Sequence, residues 1–209
     1  MSEKVASKKD VRRQRRQEEK ERRAARERRG RLLIWGGAAL VVVVVGFLAL
    51  RAFNPASQPG TAVLSQGNEH VDTLDQTHAP YNTVPPTSGP HMGGLAPWGI
   101  SAEPIPNEFQ VHNLEDGGVV IQYDCPDDSC LELKTELTDF VTQLRADPKY
   151  THLILAPYPG IRQTSASGGK PVALTAWARI LYLDGFDRQK MLEFIDAYIN
   201  IDHHTGGAG

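Results

Sequence analysis

Histidine is the residue type best placed to do chemistry in this chain. Seven occur in 209 residues, and four of them, His70, His78, His91 and His112, fall in or beside a stretch rich in Pro and Gly. Imidazoles converging from irregular segments suit zinc and copper, and Met92 beside His91 adds a soft thioether that favours copper. Two nitrogens about 2.0–2.1 Å from one ion must lie roughly 3–3.5 Å apart. His91 and His112 are the expected pair of ligands and His70 the expected third. Glu115 or Asp116 is the expected acidic neighbour, either as a ligand or as the group that fixes a ring tautomer. No short H-x-x-x-H spacing marks the set, so the competing reading has each histidine hydrogen-bonding locally around a loop ordered by its prolines. His203 and His204 precede Gly206 and Gly207 in a tail, residues 203–209, where disorder is the expectation.

Cys125 and Cys130 are the whole cysteine content and frame the run C-P-D-D-S-C. In an oxidising compartment such a pair forms a disulfide. Cys130 stands at an expected helix start, where free N–H groups and the helix dipole lower a thiol's pKa, and this opens the alternative of a thiol-disulfide oxidoreductase. The motif of those enzymes has two residues between its cysteines, whereas four stand here, so a short structural bridge is the leading reading. Ser88, three residues before His91 in T-S-G-P-H, lacks the strand-to-helix elbow that exposes a serine nucleophile. Ser and Gly in that position are turn residues. No other arrangement of side chains specifies a reaction, and the leading function is a binding or interaction module, with a His-based metal site as one reading of the histidines.

The elements that must position these groups lie between Glu69 and Asp202. Tyr81 to Gly94 contains three Pro and three Gly, which forbids a helix or a central strand. Phe109 to Leu114 and Val119 to Tyr123 read as strands, and Asp116-Gly117 between them predicts a hairpin with His112 near its end. Leu133, Leu137, Phe140, Val141 and Leu144 share one helical face, and Ser129 with Glu132 forms a capping box at its start. Leu153 to Ala156 and Val172 to Leu183 are strand-like. A last helix places Met191, Phe194, Ile195 and Tyr198 on one face, with Asp187 as N-cap and Phe186 and Met191 as a hydrophobic staple. The fold class is α+β, a small, mostly antiparallel sheet with two helices packed on it, preceded by a single transmembrane helix.

That span is Leu32 to Leu50, 19 residues without a charge or a proline. As a helix it is about 28 Å long, close to the thickness of a bilayer's hydrocarbon core. The length of the run and Arg51, which stands where a small residue is needed, favour an uncleaved anchor over a cleaved signal peptide. Residues 1–31 hold 14 Lys and Arg against 6 Asp and Glu, and the remainder holds 9 against 19. The near-neutral total therefore averages two opposite halves. Basic residues beside a span stay on the cytoplasmic side, so the arm is cytoplasmic and the domain extracytoplasmic. Residues 1–50 contact membrane lipids, with Trp35 as an interfacial anchor, and the topology role of the charge run leaves no nucleic-acid partner expected. Residues 51–68, rich in Pro, Ser, Gln, Asn and Gly, read as a linker to the domain at 69–202. The domain's partner, an envelope protein or a small ligand, is not specified.

Y-N-T-V-P-P-T-S-G-P-H at Tyr81 to His91, V-H-N-L-E-D-G-G-V-V-I-Q-Y at Val111 to Tyr123 and L-I-L-A-P-Y-P from Leu153 resemble a family of bacterial membrane-anchored proteins known as domain of unknown function 3105. The resemblance covers nearly all of the outer domain and implies its fold and location, but no reaction. The family's usual form carries a second histidine after the glutamate, as in H-N-L-E-H-G. Asp116 stands there in this chain, so the resemblance implies a carboxylate in place of an imidazole, which favours harder ions.

Overall fold

A computed structural model describes residues 35–47, 58–126 and 130–204. The chain divides into two compact units, residues 1–57 and 58–209. In the first, residues 35–47 form helix α1 with exposed side chains throughout. The basic arm and both ends of the Leu32 to Leu50 run lie outside the described residues. Among the described residues no helix is long and apolar enough to cross a membrane.

The second unit is α+β. Its short strands are β1 (Thr61–Ala62), β2 (His70–Val71), β3 (His91–Met92) and β4 (Gly99–Ile100), and its longer ones β5 (Val119–Tyr123), β6 (Leu153–Pro157), β7 (Val172–Ala176) and β8 (Arg179–Leu183). The helices are α2 (Asn107–Glu115), α3 (Leu131–Leu144) and α4 (Arg188–Tyr198). One six-stranded sheet runs β1-β8-β7-β5-β6-β4, with β2 and β3 forming a separate parallel pair. Three of the five pairings in the large sheet are antiparallel, while β5–β6 and β6–β4 are parallel. The sheet is thus mixed, and larger than the sequence suggests.

Both faces of the sheet are covered. Val119, Ile121 and Tyr123 point one way, into a core with Leu137, Phe140 and Val141 of α3 and Met191, Phe194 and Ile195 of α4. Val120 points the other way and packs with Ile154, Ala156 and Leu114 of α2. A strand buried on both faces loses simple alternation, which accounts for the near-continuous apolar run of β5. Its one polar side chain, Gln122, donates to Gln110 of α2.

Phe109 to Leu114 is helix α2, not a strand, and the expected hairpin does not form. Phe109 and Val111 mimic strand alternation, and six consecutive residues from Gln110 to Glu115 are buried. A helix enclosed on most of its surface shows no apolar stripe. Asp116-Gly117 is the helix end instead of a hairpin turn. Gly117 takes a φ of 76°, its N–H donates to Leu114 O, and the N–H of Gly118 donates to Asn113 O. This pair of bonds is a Schellman motif, with glycine at the left-handed position. A Cβ on Gly117 would lie 2.7 Å from Ile201 N, so glycine also lets the C-terminal segment pass close by.

The other elements follow the sequence with local differences. Val172 to Leu183 folds into two strands around the turn at Trp177 and Ala178. Asp187 caps α4 by accepting from Lys190 N, and Phe186 packs on the core that contains Met191. Cys130 is the N-cap of α3, and Ser129, expected in a capping box, lies outside the described residues. Residues 58–68, assigned from composition to the linker, carry β1 as an edge strand on β8, and Tyr198 Oη donates to Pro59 O. Low apolar content concealed this segment because its attachment is made by backbone hydrogen bonds.

Candidate metal centre

The Pro-rich loop is buried, and its polar groups are paired. Pro85 to His91 are all buried. The Gly89 N–H donates to Gly67 O, the Ala178 N–H to Thr87 O, and Tyr182 Oη to Val84 O. Ser88 Oγ accepts from Gln66 N, which gives it a structural partner in place of a catalytic one. The loop thus delivers His91 to β3, where it pairs in register with His70 of β2. Residues directly opposite on paired strands share a face, while their neighbours face the other way. Met92 accordingly alternates away from His91 and does not join the histidines.

Glu115 ends helix α2 and is the hub of the site. Its Oε1 accepts from Asn68 Nδ2. Its Oε2 lies 3.0 Å from His91 Nε2, 3.9 Å from His70 Nε2, 4.0 Å from His112 Nδ1 and 3.4 Å from His204 Nε2. The carboxylate is fully buried, and among the described residues its ion-pair partners are all histidines. A buried carboxylate must be hydrogen-bonded, paired with a cation or bound to a metal. The C-terminal end of a helix, which carries partial negative charge, favours a cation as well.

The ring nitrogens are arranged accordingly. His91 Nδ1 donates to Gly89 O at 2.8 Å. A carbonyl can only accept, so Nδ1 carries hydrogen and Nε2 is the nitrogen presented to Glu115. His112, one turn before Glu115 on α2, has an Nδ1 that is buried without a hydrogen-bond partner. Burial holds His112 below the ordinary histidine range, His91 and His70 act in the same direction, and Asp116 and Glu115 oppose them. A neutral imidazole is the form that ligates a metal. One ligand atom from each of His70, His91, His112 and Glu115 lies within 4.8 Å of all the others.

The family described as "Protein of unknown function (DUF3105)" matches residues 70–208. The chain belongs to this family. No curated protein and no solved structure matches it. The DUF3105 match begins at His70 and reaches past His204, so it contains every residue of the cluster.

The four residues grouped by the structure include all three histidines expected from the sequence, together with Glu115. His112 reaches the site from a helix, not from a hairpin end. Asp116 belongs to a neighbouring group with His112 and His204. His78 lies apart from the cluster, with Nδ1 donating to Ala79 O and Nε2 3.4 Å from Glu108.

The start of the expected disordered tail is held in place. The His203 N–H donates to Glu115 O and the Asn200 N–H to Gly117 O, while the His203 ring stacks on Trp177 at 5.8 Å. Burial lowers the His203 pKa, whereas the hydrogen bond with Asp202 raises that of His204. Sequence reasoning assigns His204 to a tail and gives it no place beside the cluster. Two adjacent histidines were the available signal in the tail, but the following glycines argued for disorder.

Cys125 and Cys130 form a disulfide between the end of β5 and the start of α3. A cavity of about 370 Å³ beside it is lined by Tyr123, Lys134, Pro157 and Pro159 as well as both cysteines.

Proposed function

We propose that this chain is a membrane-anchored, extracytoplasmic binding protein in which His70, His91, His112 and Glu115 hold one divalent transition ion of the zinc or copper class. The observation that carries the reading is the surroundings of Glu115 Oε2. His91 Nε2 faces this buried oxygen at 3.0 Å, and the unpartnered Nδ1 of His112 faces it at 4.0 Å. An ion among these groups would neutralise the carboxylate and satisfy the orphaned nitrogen together. Three imidazoles and a carboxylate match the donors that zinc and copper accept, and the carboxylate disfavours a purely soft, monovalent ion. Metal content of the full chain, exposed to stoichiometric Zn²⁺ or Cu²⁺ and then desalted, tests the proposal. About one ion per chain is expected, falling to background when His91 and His112 are both replaced by Ala. Background metal in the wild-type chain, or full retention by the double variant, would contradict it.

A second reading rests on the disulfide. The unit β5-α3-β6 is a parallel β-α-β, and a cysteine pair at the start of its helix stands where thiol-disulfide exchange enzymes carry theirs, with four intervening residues in place of two. In this reading two thiols of a protein substrate are oxidised to a disulfide while Cys125–Cys130 is reduced to a dithiol, through a mixed disulfide. Incubating the oxidised chain with a reduced dithiol protein distinguishes this from a structural bridge. The structural bridge predicts that Cys125–Cys130 stays oxidised and the dithiol unchanged. Stoichiometric transfer would establish the exchange activity.

A further inference from the structure

Asp116 and His204 lie outside the group of four, yet they face it. His204 Nε2 lies 3.3 Å from Asp116 Oδ1 and 3.4 Å from Glu115 Oε2, and its ring centroid is 5.9 Å from that of His112. One ligand atom from each of His112, Asp116 and His204 lies within 4.8 Å of the other two. Two groups of potential ligands therefore meet at His112.

The ring of His204 is held as a metal ligand's ring is held. Its Nδ1 lies 2.7 Å from Asp202 Oδ1, and the same carboxylate oxygen accepts the His204 backbone N–H at 2.9 Å. A carboxylate behind one ring nitrogen fixes the tautomer and raises the basicity of the other, an arrangement typical of ligating histidines. His91 repeats this with Gly89 O behind its Nδ1 and Nε2 turned to the same Glu115 oxygen. The tail's backbone is fixed as well, by His203 N–H to Glu115 O and Asn200 N–H to Gly117 O.

The pairs that differ between the two groups also differ in access to solvent. The side chains of His91 and Glu115 are 0% and 1% exposed, while those of Asp116 and His204 are 27% and 42% exposed, with His70 at the solvent edge of the first group at 54%. We propose that His112, Asp116 and His204 form an outer subsite for the same divalent transition ion, through which the ion passes between solvent and the buried set by exchanging ligands at the shared His112. This inference rests on the metal-binding reading above. The ion exchanges Asp116 and His204 for His91 and Glu115 on its way in, and the reverse on its way out. The complete loss of ligands that direct passage requires is thereby avoided. A station on a path lowers the barrier in both directions and leaves the end states unchanged.

That property supplies the test. Zinc-loaded full-length chain is mixed with excess chromophoric chelator to follow release, and apo chain is mixed with Zn²⁺ to follow uptake, with affinity measured separately by competition. His204→Ala is expected to slow uptake and release together by about tenfold or more while the affinity stays within about threefold. Asp116→Asn should do the same. Asp202→Asn, which removes only the positioning carboxylate, should have a smaller effect of the same kind. Unchanged rates in His204→Ala and Asp116→Asn would overturn the subsite. So would weaker affinity with accelerated release, because His204 would then be an ordinary ligand of the buried ion. A wild-type chain that takes up no Zn²⁺ would fail the metal-binding reading itself and this inference with it. Normal uptake with unaltered kinetics in the variants would fail this inference alone.

Discussion

Replacing Glu115 by Gln is expected to weaken Zn²⁺ binding by about a hundredfold or more, since removal even of groups that merely support metal ligands costs 10–100-fold. The substitution keeps the shape of the side chain and removes its charge. Glu115 Oε2 is the atom that His91, His70 and His112 share, at 3.0, 3.9 and 4.0 Å. No other carboxylate belongs to that group of four. The consequence is measurable as stability. At a free Zn²⁺ concentration one thousand times the wild-type dissociation constant, the ion stabilises the wild-type fold by about 4.1 kcal/mol, and a variant binding a hundredfold more weakly gains only about 1.4 kcal/mol. Without metal the order should change. Glu115→Gln removes a buried charge whose ion-pair partners among the described residues are all histidines, and keeps an amide oxygen that can still accept from Asn68 Nδ2, so the variant's apo form should be at least as stable as the wild type's. Denaturant unfolding with and without Zn²⁺ checks both halves. Equal zinc-dependent stabilisation of the two proteins would show that Glu115 is not in the ligand set.

The second large effect concerns topology. An alkaline phosphatase that folds only outside the cytoplasm should be active when fused after Gly209 and inactive when fused before Met1. The motive is the charge distribution, 14 Lys and Arg against 6 Asp and Glu in residues 1–31, set beside the 19-residue apolar run from Leu32 to Leu50. Retention of basic residues on the cytoplasmic side decides the direction of such a span, and Arg51 alone stands against it. Reversed activities would invert the protein in the membrane. Equal activities in soluble fractions would remove the anchor altogether.

The residues of the candidate site were more legible than the elements that carry them. His70, His91, His112 and Glu115 could be grouped from residue type and from the Pro-rich loop, because a chain that spends this many prolines on one segment holds its side chains in few conformations. The route from His112 to the site is a helix that the sequence presents as a strand. Gln110 to Glu115 are buried on successive positions, so the helical period that marks α3 and α4 is absent from α2, and Phe109 and Val111 imitate a strand. The glycine at 117 signals a turn in either case. The backbone bonds of the helix end, Gly117 N–H to Leu114 O and Gly118 N–H to Asn113 O, separate a helix terminus from a hairpin.

The place of His204 is not legible for a different reason. Its place depends on Asn200 and His203 bonding back to Gly117 and Glu115, contacts across more than eighty residues of sequence that no local pattern encodes. The same holds for β1, whose polar, Pro-bordered sequence reads as linker until β8 is there to pair with it. By contrast α3, α4 and the Asp187 cap were readable, because one face of each helix alone is buried.

The most direct test of the central claim is X-ray absorption at the zinc edge of the full chain loaded with one equivalent of Zn²⁺. The account predicts a first shell of nitrogen and oxygen at about 2.0–2.1 Å, with the outer-shell scattering of about three imidazoles. It also predicts that the imidazole signal falls by about one ring in His112→Ala. A shell of water oxygens without imidazole scattering, or a sulfur shell near 2.3 Å, would contradict it.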